Sequence, residues 1–111
     1  MASLTVETLA KELCLEQLCA GDTQTPVTGC YCGDLLSWVM SRANSGDAWL
    51  TVMGNLNAVG VAALANLSVI ILTEDAAFDD DALKRAELNG INVYRTSLNA
   101  YEAAVKISEL L

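Results

Sequence analysis

Residues 48–72 read AWLTVMGNLNAVGVAALANLSVIIL, and the order of signals in this stretch decides the fold. Ala48 to Met53, rich in Trp, Leu and Val, predicts a strand. Gly54-Asn55-Leu56-Asn57 is a tight connection that offers an Asn side chain as a helix cap. Ala58 to Ala65 is apolar on almost every side, which predicts a buried helix. Its small residues, Gly60, Ala62, Ala63 and Ala65, allow close approach to a sheet or to a second helix. Val69 to Leu72 is a short unbroken apolar run, the pattern of a parallel strand covered on both faces. Strand, helix and strand in this order make a right-handed crossover unit.

The alternation continues in both directions. Upstream, Val27 to Cys32 predicts a strand, and Gly33-Asp34 opens a helix for which Asp34 suits the N-cap. Leu35, Leu36, Val39, Met40 and Ala43 form the apolar stripe of that helix, and Asn44-Ser45-Gly46-Asp47 stops it. Downstream, Thr73 to Phe78 is a loop and Asp79-Asp80-Asp81 starts a helix, where negative charge meets the positive end of the helix dipole. Leu83, Ala86 and Leu88 supply its apolar face and Asn89-Gly90 its C-cap. Ile91 to Tyr94 is the last strand. Ser97 or Asn99 opens a final helix with Tyr101, Ala104, Val105 and Leu111 turned inward. At the N-terminal end, Ser3 or Thr5 caps a helix carrying Val6, Leu9, Ala10 and Leu13, and Leu15 to Cys19 is a short apolar segment. The expectation is one α/β domain over residues 1–111: three layers, a mainly parallel sheet of about four strands, and helices on both faces.

Composition narrows the function classes. The chain has 111 residues, 53% of them apolar, and a net charge of −8. It can bury a full core, and its field repels nucleic acid and anionic membranes. The apolar stretch from Ala58 to Leu72 is too short and too interrupted to span a bilayer. With Lys11 as its first basic residue and no apolar leader segment, the sequence reads as cytoplasmic.

Four cysteines, Cys14, Cys19, Cys30 and Cys32, then sit in a reducing compartment, where structural disulfides are not expected. Their simplest reading is as small apolar residues filling the core. The alternative is a metal- or redox-linked protein using all four. Against that stand the absence of histidine and the single residue between Cys30 and Cys32, which departs from the usual knuckle spacing.

In an open parallel sheet, ligands bind beyond the carboxyl ends of the strands. Those ends are Gly33-Asp34, Gly54 to Asn57, Thr73-Glu74-Asp75 and Thr96-Ser97. The candidate ligand-contact residues are therefore Asp34, Gly54, Asn55, Asn57, Thr73 and Glu74. No catalytic residue is nominated: the chain has no histidine for acid–base work near neutral pH and no phosphate-binding P-loop. The carboxylates at the strand ends are explained by capping and solubility, so no metal and no cofactor is expected.

Residues 49–108 resemble the DRTGG domain, a regulatory or accessory part of phosphotransacetylases and of pyrophosphatases that also carry CBS domains. The resemblance rests on three turns: Gly54-Asn55-Leu56, Leu72-Thr73-Glu74-Asp75 and Asn99-Ala100-Tyr101. Gly54, Thr73 and Tyr101 match the family pattern, while the Asp, Arg and Gly-Gly positions differ. The stretch from Val27 to Ser37 is similar to small stand-alone bacterial members, related to the N-terminal domain of HPr serine kinase. The P-loop domain of that kinase is absent, so kinase activity does not follow. The resemblance implies a non-catalytic regulatory or ligand-sensing module, homodimeric, binding a small ligand such as a nucleotide or a partner enzyme. A phosphotransfer regulator related to HPr kinase is a further alternative.

Overall fold

The computed structural model describes residues 3–111. Among the described residues, five strands and five helices follow one another: α1 (Val6–Glu12), β1 (Glu16–Cys19), β2 (Gly29–Cys32), α2 (Leu36–Arg42), β3 (Asp47–Thr51), α3 (Leu56–Leu64), β4 (Val69–Leu72), α4 (Asp80–Asn89), β5 (Val93–Arg95) and α5 (Ala100–Leu110). The strands form one sheet in the order β1-β5-β4-β3-β2. The four strands β2 to β5 are parallel, as expected. The sheet also carries a fifth strand. Leu15 to Cys19 supplies β1, which runs antiparallel along the edge of β5 with a register shift between Gln17 and Cys19. The sheet is thus mixed, with an antiparallel strand at one margin.

β4 at the centre explains the layering. Successive side chains of a strand point to opposite faces. Val69 and Ile71 enter one cluster with Val6, Leu9, Ala103 and Ile107 from α1 and α5. Ile70 and Leu72 enter the other, with Val39, Ala58, Val59, Ala62, Ala82 and Ala86 from α2, α3 and α4. Each large apolar side chain so enclosed stabilises the fold by about 1.5–3 kcal/mol. Trp49 is fully enclosed, and its indole N–H donates to the Gly33 carbonyl at 2.8 Å.

Local signals account for most boundaries. Thr5 caps α1, accepting from Thr8 N–H, and Asn55 caps α3. Asn99 and Glu102 form a reciprocal capping box on α5. Gly90 closes α4 in the left-handed conformation.

Several faces differ from the sequence reading. α3 is buried only through Ala58, Val59 and Ala62; Leu64 is exposed, and Gly60 has open space where a side chain would be. On α4, Ala82 and Ala86 face the core while Leu88 is 82% exposed. On α5, Ala103 and Ile107 face inward, whereas Tyr101 is 77% exposed and Val105 and Leu111 are also exposed. Alanines let these helices lie close to the sheet and to each other, so the larger side chains are left outside. Among the described residues, no helix is long and apolar enough to cross a membrane.

Candidate functional site

The carboxyl edge of the parallel strands is built from four connections. After β2, Asp34 does not cap α2, whose N-cap is Leu35 without a side-chain bond. Its Oδ1 instead accepts from Thr51 Oγ1 at 2.7 Å and from Val52 N–H at 3.0 Å, tying the ends of β2 and β3 together. After β3, Gly54 lies against the loop that follows β4, and its carbonyl accepts from Asp79 N–H at 2.8 Å. Asn55 Oδ1 accepts from Ala58 N–H at 2.9 Å. Asn57, in the first turn of α3, is exposed.

After β4, Thr73 is buried and its N–H donates to the Thr51 carbonyl. Glu74 and Asp75 then take positive φ, 57° and 53°, in succession. This places their amides for bonds to the carbonyls of Leu98 (2.9 Å) and Thr96 (3.0 Å). After β5, Arg95 grips Glu16 of β1 through two bonds of 3.0 Å and donates a third, at 3.3 Å, to the Ala76 carbonyl. The guanidinium holds the Glu16 carboxyl below its ordinary range and is itself held above its own by that bond.

Of the six nominated residues, Asp34, Gly54, Asn55, Thr73 and Glu74 line up along this edge. Asp34 and Asn55 direct their side-chain oxygens to partners within the protein, and Gly54 and Thr73 are engaged through their backbones. A shallow depression of about 340 Å³ opens further along, lined by Cys14, Glu16, Asp75, Arg95, Thr96 and Ser97 among others. None of the six nominated residues borders it. The sequence reading passed over Arg95 and Glu16, because their pairing depends on β1, which it left outside the sheet.

The four cysteines do not meet. Cys14 and Cys19 belong to the β1 margin and Cys30 and Cys32 to β2 at the other, a separation of roughly 19 Å across four inter-strand spacings. Among the described residues, no group of three or more Cys, Asp or Glu could hold a metal ion. The four-cysteine metal reading is therefore overturned. The core-filling reading is also corrected: Cys19 is buried and Cys30 half-buried, but Cys14 and Cys32 are exposed. Burial, with smaller effects from Cys32 and Asp47, pushes the Cys30 thiol up to about 12. Burial also raises Cys19.

Fold and edge together define an open α/β domain whose strand ends are locked by backbone contacts. The DRTGG domain model matches residues 9–110, and the chain belongs to the DRTGG domain family. Its structure is similar to that of the CBS and DRTGG domains of the regulatory region of Clostridium perfringens pyrophosphatase, solved with the activator diadenosine tetraphosphate. The TM-score is 0.77 at 16% identity, over 99% of this chain and 47% of that one. This likeness shows the fold, and the chain spans about half the length of the pyrophosphatase fragment. No curated protein sequence matches the chain.

The family pattern acquires a physical meaning here. Glu74 and Asp75 stand where the family carries Gly-Gly, and both adopt the left-handed conformation that favours glycine. Asn55 stands in place of the family's Asp and caps α3. Leu56 replaces the Arg.

Proposed function

We propose that the domain is a non-catalytic regulatory module that acts as a homodimer through α2 and the neighbouring β2 edge. One observation carries this reading. Leu35 and Trp38, which follow β2, and Val52, which follows β3, are exposed, and β2 at the end of the sheet leaves one side of its backbone unpaired. The Arg42 guanidinium stacks 3.6 Å from the Trp38 ring centroid, holding an aromatic and a cation together on the surface. Tryptophan and arginine are the residues most enriched at binding hot spots. A second copy is the occupant that fits. The β2 edge can pair with its own two-fold image, and the patch then meets itself. The cation of Arg42 also offsets the repulsion between two chains of net charge −8. The exposed thiols of Cys14 and Cys32 suit a reducing, cytoplasmic setting.

The test is the oligomeric state. Sedimentation equilibrium should give a dimer for the full chain and a monomer for Trp38→Ala, with the thermal midpoint of the variant at high dilution unchanged. A monomeric wild type at 100 μM, or a dimer untouched by Trp38→Ala, overturns the reading.

A second reading is ligand sensing at the carboxyl edge, through Asp34, Gly54, Asn55, Asn57, Thr73 and Glu74. It is supported by the position of these residues at the strand ends and by the nucleotide activator in the pyrophosphatase complex. Thermal shift with nucleotides tests it. A ligand at about 100 times its dissociation constant adds about 2.7 kcal/mol.

A further inference from the structure

A second depression, of about 470 Å³, lies between α1 and the β1–β5 pair and adjoins the first at Cys14, which lines both. Its walls include Ala10, Lys11, Leu15, Gln17, Thr23 and Tyr94. Tyr94 is the unusual member. It is 96% buried, being 4% exposed, yet its hydroxyl makes no hydrogen bond with any described residue. No fully enclosed side-chain polar atom among the described residues lacks a partner, so the hydroxyl must open into this depression. Buried tyrosines ordinarily find a partner for the O–H. Here the partner position is the depression itself.

The remaining groups define what could fill it. The side-chain amide of Gln17 and the hydroxyl of Thr23 are likewise without partners among the described residues, and the amide presents a donor and an acceptor side by side. Ala10, Leu15 and the Tyr94 ring supply apolar walls. Charge is balanced locally: Glu7, which also lines the depression, lies 3.5 Å from Lys11 and accepts from Gln24 Nε2. The one cation of the wall is thus already matched, and the chain as a whole is strongly negative. A phosphate or other multiply charged anion has nothing to balance it. The volume falls within the range of small-molecule sites.

We infer that this depression binds an uncharged planar nitrogen heterocycle with adjacent donor and acceptor groups, of the nucleobase or nucleoside class. The Tyr94 hydroxyl donates to a ring acceptor and Gln17 reads the neighbouring edge. The site shares no residue with the α2 surface, so it stands whether or not the domain dimerises, and it meets the depression beside Arg95 only at Cys14.

The test is an NMR titration of the full ¹⁵N-labelled chain with adenine, guanine, uracil, adenosine and adenosine monophosphate. The expected result is saturable binding of at least one base or nucleoside, with amide shifts centred on Tyr94, Gln17 and Ala10. Tyr94→Phe removes only the hydroxyl and keeps the ring, and Gln17→Ala changes an exposed side chain. Each should weaken binding about tenfold, the loss of one good hydrogen bond. Leu64→Ala, on the exposed face of α3, should leave it unchanged. The inference is overturned if no base or nucleoside binds at 10 mM, or if binding survives Tyr94→Phe and Gln17→Ala. It is equally overturned if the monophosphate binds more tightly than the nucleoside, or if the shifts centre on Asn55 and Thr73.

Discussion

Gly54 and Ala77 touch backbone to backbone: a Cβ added to Gly54 would stand 1.9 Å from the Ala77 carbonyl oxygen and 2.9 Å from its carbon. The turn after β3 and the loop after β4 are therefore pressed together with no room for a side chain between them. The bond from Asp79 N–H to the Gly54 carbonyl fastens the same contact and sets where α4 begins.

Gly54→Ala should accordingly cost about 3 kcal/mol, at the upper end for an overpacked site, because both opposing atoms belong to backbone and cannot rotate away. The loss should appear as a thermal midpoint lower by roughly 10 °C. Gly60→Ala is the matching control. It lies mid-helix with open space around it, so it should be neutral or stabilising by up to about 1 kcal/mol. Equal destabilisation by the two would contradict the packing argument.

Glu74 and Asp75 hold two successive left-handed conformations that cost a non-glycine residue about 1 kcal/mol each. Replacing both by glycine removes this strain but gives the unfolded chain more freedom. The net gain expected for the double variant is about 1 kcal/mol, read as a rise of roughly 4 °C in the midpoint. A fall in stability would mean that the two carboxylates make contacts outweighing their backbone strain.

The βαβ core was legible because its signals agree: an unbroken Val69–Leu72 run, an Asn at the right place to cap α3, and a Gly beyond α4. What escaped reading has physical causes. β1 is four residues long, and its Glu16 and Gln17 are exposed, so an edge strand with one bulge left no alternation to detect. The inner faces of α4 and α5 were read only in part: Leu83 and Ala86 pack inward as expected, but Ala82, Ala103 and Ile107 complete the packing while Leu88 and Tyr101 stay outside. Size of side chain is a poor guide where helices approach closely. Asp34 matched the N-cap pattern, but Thr51 and Val52, distant in sequence, offered its carboxylate two donors. The Tyr94 depression was invisible for the same reason, since it exists only once β1 pairs with β5.

The Arg95–Glu16 clasp predicts an acid-side signature. Arg95 depresses the Glu16 carboxyl from its ordinary 4.5, chiefly by direct hydrogen bonding. A depressed carboxylate contributes stability that is complete above its unfolded value and is lost as pH falls through the folded one. Wild type and Glu16→Gln should therefore differ above pH 4.5 and converge below it. The difference is small because the pair is solvated, and added salt should shrink it further. A gap that persists unchanged to pH 2 would assign the effect to packing.

Asn92 offers the sharpest test of the opposite end of the sheet. Its side chain is buried and fully used: Oδ1 accepts from Gly21 N–H at 2.8 Å, and Nδ2 donates to the carbonyls of Asp22 at 2.9 Å and Ser68 at 3.2 Å. It joins the connection after β1 to the starts of β4 and β5. Asn92→Asp keeps the shape but turns two donated bonds into a carboxylate facing two carbonyl oxygens. At neutral pH this should cost about 3–5 kcal/mol, the range for an uncompensated buried charge. Burial and the two carbonyls both raise the pKa of the introduced carboxyl. A raised group contributes its stability below its unfolded value, near 3.9, and loses it as pH rises through the folded one. The variant should therefore recover part of its stability as pH falls towards 4, while wild type does not. Asn92→Ala, which introduces no charge, should be destabilised by a similar or smaller amount with no such recovery. Urea unfolding of the three proteins across pH 4–8 measures this. Parallel profiles for the two variants would show that the donors of Asn92 are not needed where the structure places them.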